Sequence, residues 1–160
     1  ITLKKELKDL TITSIDISGK ALKIAKKNAK MNKVDINFIH KSIYKYNPLN
    51  KYGLIISNPP YVAEDEEVDP QTKYEPQNAI FAKNNLLNSI TTSAYETGYY
   101  EYIISNAQKM LQEKSILAFE IGCSQGDALL KISKEYFPKA KITIEKDLSN
   151  RDRYLFIINE

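Results

Sequence analysis

The residues with the clearest chemical content are Asn58-Pro59-Pro60-Tyr61, which follow directly on the apolar run Tyr52–Ser57. Pro59 pushes Asn58 out of the helical region and Pro60 does the same to Pro59, so the turn is stiff. A rigid Asn projects one amide oxygen, and Pro59 adds a backbone carbonyl, giving two acceptors at fixed spacing. Two acceptors suit a planar NH2 group, an amide or aryl amine whose delocalised lone pair makes it a poor nucleophile. Hydrogen bonds from both N–H groups would orient that nitrogen and favour the charge that develops on it as it takes up a substituent. Tyr61 would form an aromatic wall for the planar group. The bland alternative is a Pro-rich turn with a structural Asn. The strand before the motif, the Tyr within it and the long irregular stretch beyond it favour the chemical reading.

A second residue of interest, Asp16, ends the β-branched stretch Thr11–Asp16. In nucleotide-binding βαβ units an acidic residue at the carboxyl end of a strand binds ribose hydroxyls, about 20 residues after a Gly-rich loop. Counting back places that loop ahead of Ile1, and the five glycines present are scattered. Helix capping is the competing role for Asp16.

The elements that would position these residues alternate between strand and helix. Ile1–Leu7 reads as the tail of a helix and Thr11–Asp16 as a strand. Ser18 caps a helix running to about Asn32, with Ala21, Leu22, Ile24, Ala25, Ala29 and Met31 as its apolar positions. Ile36–His40 and Tyr52–Ser57 follow as strands, the latter apolar enough to be central and buried. After the irregular stretch 62–98 come a helix from Tyr99 to about Gln112, a strand Ile116–Ile121, a helix Gln125–Tyr136, and a closing pair of strands, Lys141–Glu145 and Tyr154–Ile158. This alternation predicts an α/β domain with a mostly parallel sheet. In such sheets ligands bind at the carboxyl edge.

Composition narrows the function classes. With 23 basic and 20 acidic residues the net charge is only +3, with no sign of the basic stripe of an electrostatically driven nucleic-acid binder. One Cys and one His make an internal disulfide impossible and a zinc site implausible, so no metal is expected. No apolar run approaches the roughly 18–20 residues that span a bilayer, so no membrane association is expected and a reducing, cytoplasmic setting is the simplest reading. His40 reads as structural or cofactor-adjacent, Cys123 as a small buried residue, and Glu120 as either site-facing or structural. The acidic run 64–69 reads as a solvated loop.

Together these motifs resemble the protein-glutamine N5-methyltransferases that modify the Gly-Gly-Gln loop of class I peptide-chain release factors. The resemblance runs from the Asp16 strand to Asn159. It takes in Ser57–Val62, Tyr74-Glu75-Pro76 with Ala79, Gly98-Tyr99-Tyr100, Glu120-Ile121-Gly122 with Gln125-Gly126, and Lys146-Asp147-Leu148 with Asn150–Arg153. The tetrapeptide alone is shared with adenine and cytosine methyltransferases acting on nucleic acids; the later elements favour the protein-glutamine branch.

The resemblance implies a Rossmann-like class I S-adenosylmethionine-dependent methyltransferase fold, mostly parallel with an antiparallel last strand. It implies that Asn58 and the Pro59 carbonyl grip the glutamine amide, that Pro60 and Tyr61 pack beside it, and that Glu75 helps shape the substrate entrance. Asp16, Ile17, Ser42, Ile43 and Asn58 would contact S-adenosylmethionine. The expected partner is a release factor, bound by a monomer with no stable nucleic acid. Residues 84–97 look longer than is usual for the family.

Two departures set further expectations. The Gly-rich loop and the small helical domain that the family uses to recognise its substrate are absent, as is the central strand that precedes the loop. The 160 residues therefore read as a partial methyltransferase domain, expected to bind cofactor and fold poorly alone because two strand edges lack partners. The alternatives are an adenine N6-methyltransferase of nucleic acids, or an inactive or binding-only remnant should the protein truly begin at Ile1.

Overall fold

A computed structural model describes residues 1–60 and 98–160; Tyr61, Glu75, the acidic run 64–69 and residues 84–97 lie outside the described residues. The chain divides into two compact units, Ile1–Asn47 and Pro48–Glu160.

The first unit comprises α1 (Thr2–Glu6), β1 (Thr13–Asp16), α2 (Gly19–Met31), β2 (Asn37–His40) and a 3-10 turn (Ile43–Lys45). β1 and β2 pair in parallel, with Thr13 opposite Asn37 and Asp16 opposite His40. Parallel neighbours need a crossover, and α2 supplies it. The helix starts where Ser18 Oγ accepts the Ala21 N–H at 3.2 Å, satisfying one orphan donor of the first turn. It stops at Asn32, and Lys33 follows in a left-handed conformation, φ 54°. Leu22 and Ala29, two turns apart, are buried. Ile24 and Met31, expected among the apolar positions, are instead 62% and 70% exposed. Ile24 lies about 200° around the helix from Leu22, which turns it away from the buried stripe.

The second unit holds β3 (Tyr52–Ser57), α3 (Gly98–Met110), β4 (Leu111–Glu120), α4 (Gly126–Tyr136), β5 (Lys141–Lys146) and β6 (Asp152–Asn159). Its sheet has the order β3-β4-β6-β5. β3 runs parallel to β4, and β6 lies antiparallel to both β4 and β5. Within this sheet the last strand alone is reversed, as the family resemblance implies. β4 begins at Leu111, although Leu111–Lys114 has helix-compatible composition. Leu111 lies opposite Tyr52 and is buried, so pairing and burial override local propensity.

One face of this sheet carries the core. Leu117 faces Ile157 and Phe119 faces Leu155 across the β4–β6 ladder, and all four are essentially inaccessible. α3 and α4 cover that face with Tyr100, Ile103, Ile104 and Leu129. Each such side chain contributes roughly 1.5–3 kcal/mol by leaving water. None of the described elements of this unit covers the opposite face. Leu54 and Ile56 are 38% and 58% exposed, so β3 is not the fully buried central strand that its composition suggests. The period of two puts Leu54 and Ile56 on the face away from α3 and α4, and β3 ends the order of its sheet. No helix among the described residues is long and apolar enough to cross a membrane.

Candidate active site

Because β3 and β4 are parallel, their carboxyl ends lie at one edge, with Ser57 opposite Phe119. Asn58 is the next residue. Pro59 is buried, Pro60 half-buried and Asn58 exposed. The proline thus anchors the turn while the Asn58 amide faces solvent, making no side-chain hydrogen bond among the described residues. An amide so placed can receive two N–H groups together with the Pro59 carbonyl.

The strand beside it is braced at its end. Tyr100, wholly buried in the first turn of α3, donates its hydroxyl to the Glu120 carbonyl at 2.8 Å. Its ring meets Phe119 edge-on, with centroids 5.4 Å apart and planes at 72°. One residue on, the Ile121 N–H donates to the Arg153 carbonyl at 2.9 Å, and Arg153 Nη1 donates back to the Ile121 carbonyl at 3.1 Å. The Gly122 N–H donates to Gln125 Oε1 at 2.9 Å, closing the turn before α4. Cys123, expected to be buried, is exposed on that turn, because the chain leaves the sheet there for solvent.

Arg153 is aimed by Asp147, whose Oδ2 lies 3.5 Å from the guanidinium. Asp147 Oδ1 accepts the N–H groups of Ser149 and Arg151 at 2.8 and 3.1 Å. The Arg151 amide foremost, then the Ser149 amide and the Arg153 guanidinium, hold the Asp147 carboxyl below the usual carboxylate range. Asn150 passes through the left-handed region at φ 61°, which Asn tolerates because its side chain can bond locally.

In the first unit, the carboxyl ends of β1 and β2 gather four of the expected cofactor residues. Asp16 Oδ1 accepts the Ser18 N–H at 2.6 Å, and the Asp16 carbonyl accepts the Lys41 N–H at 3.0 Å. One carboxylate oxygen therefore shapes the turn while Oδ2 makes no bond among the described residues. Ile17, 64% exposed, lays an apolar surface beside it. His40 Nε2 lies 2.9 Å from the Ile17 carbonyl, to which it donates, tying β2 to the β1 turn. Ser42 and Ile43, both half-buried, follow β2 directly at the 3-10 turn. A ribose and a flat base fit this donor set, with an acceptor for a hydroxyl next to an apolar shelf.

An open cavity of about 320 Å³, lined by Lys51, Leu111, Gln112, Tyr136, Phe137 and Asn159, lies at the other end of β3 and β4 from Asn58. Its Gln112 and Asn159 amides already donate to the Lys51 and Glu113 carbonyls. No group of three or more His, Cys, Asp or Glu among the described residues could hold a metal ion. Tyr100 and Arg153 belong to recognisable sequence motifs, yet their bracing of Glu120 and Ile121 spans 20 and 32 residues, which no local pattern reports.

Residues 1–74 match the family described as the methyltransferase small domain. The chain is similar to release factor glutamine methyltransferases. It is 36% identical over 156 residues to that of Enterococcus faecalis and 37% over 162 residues to that of Staphylococcus aureus. Each alignment takes in 96% of this chain and 53% of the relative, so the chain spans about half the length of the curated relatives it matches. Among solved structures, a methyltransferase from Pyrococcus furiosus superposes with a TM-score of 0.64 at 13% identity, covering 99% of this chain and 67% of that one. The ribosomal protein L11 methylase of Lactobacillus delbrueckii subsp. bulgaricus does so at 0.60 and 18%, covering 94% and 58%. The N-methyltransferase NodS of Bradyrhizobium japonicum, in complex with S-adenosyl-l-homocysteine, does so at 0.56 and 14%, covering 93% and 66%. The fold is that of the Rossmann-like class I S-adenosylmethionine-dependent methyltransferases.

Proposed function

We propose that this chain belongs to the release factor glutamine methyltransferases and carries the residues that methylate the side-chain amide nitrogen of the glutamine in the Gly-Gly-Gln loop of class I release factors, in support of translation termination. The observation that supports this most directly is the Asn58–Pro59 turn. A buried proline fixes an exposed amide, unbonded among the described residues, at the carboxyl end of β3.

In this reading S-adenosylmethionine, when bound, supplies an electrophilic methyl group. Asp16 Oδ2 takes a ribose hydroxyl, Ile17 and Ile43 flank the base, and Ser42 lies beside it. Asn58 Oδ1 and the Pro59 carbonyl each accept one N–H of the substrate amide. That fixes the amide plane, so that the nitrogen lone pair, which lies perpendicular to it, faces the methyl group, and it favours the positive charge that grows there. Pro60 keeps the two acceptors at constant spacing. Tyr61 walls the planar group and Glu75 borders the substrate entrance. The partner is a protein, met in the cytoplasm by a monomer without nucleic acid.

The test is methyl transfer by the protein in its full natural length, using labelled cofactor and a purified release factor with Gln or Ala in its loop. Label should appear on the Gln form alone and fall on the order of 10²–10³-fold in Asn58→Ala. Label on DNA or RNA instead would give the nucleic-acid branch of the NPPY enzymes. No label on any acceptor would leave a binding-only remnant.

A further inference from the structure

Resting on that function, we propose that Glu120 is a further catalytic residue: its carboxylate stands beside Asn58, stabilises the cationic nitrogen formed on methyl transfer and takes up its proton. The register carries the argument. Ser57 lies opposite Phe119 as the last pair of this parallel ladder, and Asn58 and Glu120 are the residues that follow them on the two chains. Side chains alternate along strands, so Glu120 leaves the sheet on the face of Ala118, and the same period carried one residue past β3 brings Asn58 to that face, on neighbouring chains about 5 Å apart. That face is the one opposite the core. Behind the pair it is apolar, with Ile56 alongside Ala118 and Phe156 across from Ala118.

The second observation is how Glu120 is held. Its carbonyl takes the Tyr100 hydroxyl, and the following peptide is fastened to Arg153 in both directions. Glu120 is half-buried, and its carboxylate makes no hydrogen bond or ion pair among the described residues. A backbone fixed this firmly under an unengaged carboxylate is the arrangement expected of a preorganised charge.

The chemistry gives that charge a task which two neutral acceptors leave undone. As the nitrogen lone pair forms the new N–C bond, the C–S bond breaks and its electron pair stays on sulfur. The nitrogen, neutral before, becomes cationic. A carboxylate on a partly apolar surface attracts that cation far more than the neutral amide, so its effect falls on the transition state. One of the two N–H protons then leaves its neutral acceptor for the carboxylate and passes on to water, which restores Glu120 and leaves the N-methyl amide neutral with one N–H.

The experiment uses the full-length protein with Glu120→Gln, which keeps shape and removes charge, and Glu120→Asp, which keeps charge at shorter reach. With the release factor as substrate, kcat in Glu120→Gln should fall on the order of 10²-fold while KM barely moves, and Glu120→Asp should recover part of the loss. A second readout needs no turnover. A synthetic loop peptide with ornithine in place of Gln sets a permanent cation where the transferred nitrogen would be. Wild type should bind it about tenfold tighter than the neutral norvaline peptide, and Glu120→Gln should lose that preference. Wild-type kcat in Glu120→Gln, or an ornithine preference that survives the substitution, would overturn the assignment. A wild-type protein that prefers ornithine but does not methylate Gln would refute the proposed function and leave the charge assignment standing.

Discussion

Replacing Tyr100 with Phe isolates one hydroxyl at the point where the fold grips its site. The ring is wholly buried and meets Phe119 edge-on, and Phe keeps that contact, itself worth about 0.5–1.5 kcal/mol beyond burial. What is lost is the 2.8 Å bond to the Glu120 carbonyl. A net hydrogen bond contributes about 1 kcal/mol, and a buried partner left unsatisfied raises the cost towards 1–3 kcal/mol. Tyr100→Ala also empties the space of the ring, at about 3–5 kcal/mol by analogy with other large-to-small aromatic changes. Equilibrium urea unfolding of both variants, with m unchanged, should therefore place Phe between wild type and Ala. The Phe variant should also lose kcat, because the carboxyl end of β4 carries the register to Ser57 and so to Asn58. A Phe variant within about 0.5 kcal/mol of wild type, or one as costly as Ala, would refute the reasoning.

Ser133 is fully buried and its hydroxyl has no hydrogen-bond partner among the described residues. Ser133→Ala should hold stability or raise it by up to about 1 kcal/mol, and a loss above that in urea unfolding would reveal a bond to the hydroxyl. Asp147 has a folded pKa depressed below its unfolded value, chiefly by the Arg151 amide. Its contribution is present above the unfolded value, about 3.9, and lost as pH falls through the folded one. Asp147→Ala should be less stable than wild type near neutrality, with the gap closing as unfolding is repeated from about pH 4 downward. A gap constant with pH would show that the carboxylate charge does not contribute.

Much of this fold was legible because its signals are local. Ser18 caps where a cap is needed, Tyr52–Ser57 is the strand whose bounds were expected, and the two prolines announce a stiff turn on their own. The misjudged features depend on what lies across the sheet or the helix. Leu54, Ile56, Ile24 and Met31 look like core residues by type, but their burial is decided by which face is covered. The start of β4 at Leu111 comes from pairing with Tyr52, and Cys123 is exposed because its turn leaves the sheet. In the candidate site, residue types point to Asn58 and Asp16 directly. The bracing by Tyr100 and Arg153 is a tertiary fact, and so is the single carboxylate oxygen that Asp16 spends on its own turn.

The parallel pairing of β3 with β4 joins residues 62 apart, Ser57 with Phe119. A chain growing at about 5–20 residues per second makes Asn58 some 3–12 s before the partner strand is complete. For that interval Leu54-Ile55-Ile56 is a β-prone apolar run with its ladder partner not yet made, the kind of segment that associates with other chains. Such non-local pairing is also among the slower steps of folding, since the closure entropy of the intervening loop precedes any contact. The position of the Asn58 amide is thus settled late in the life of each new molecule, and the yield of active protein should depend on how well the nascent chain is shielded meanwhile.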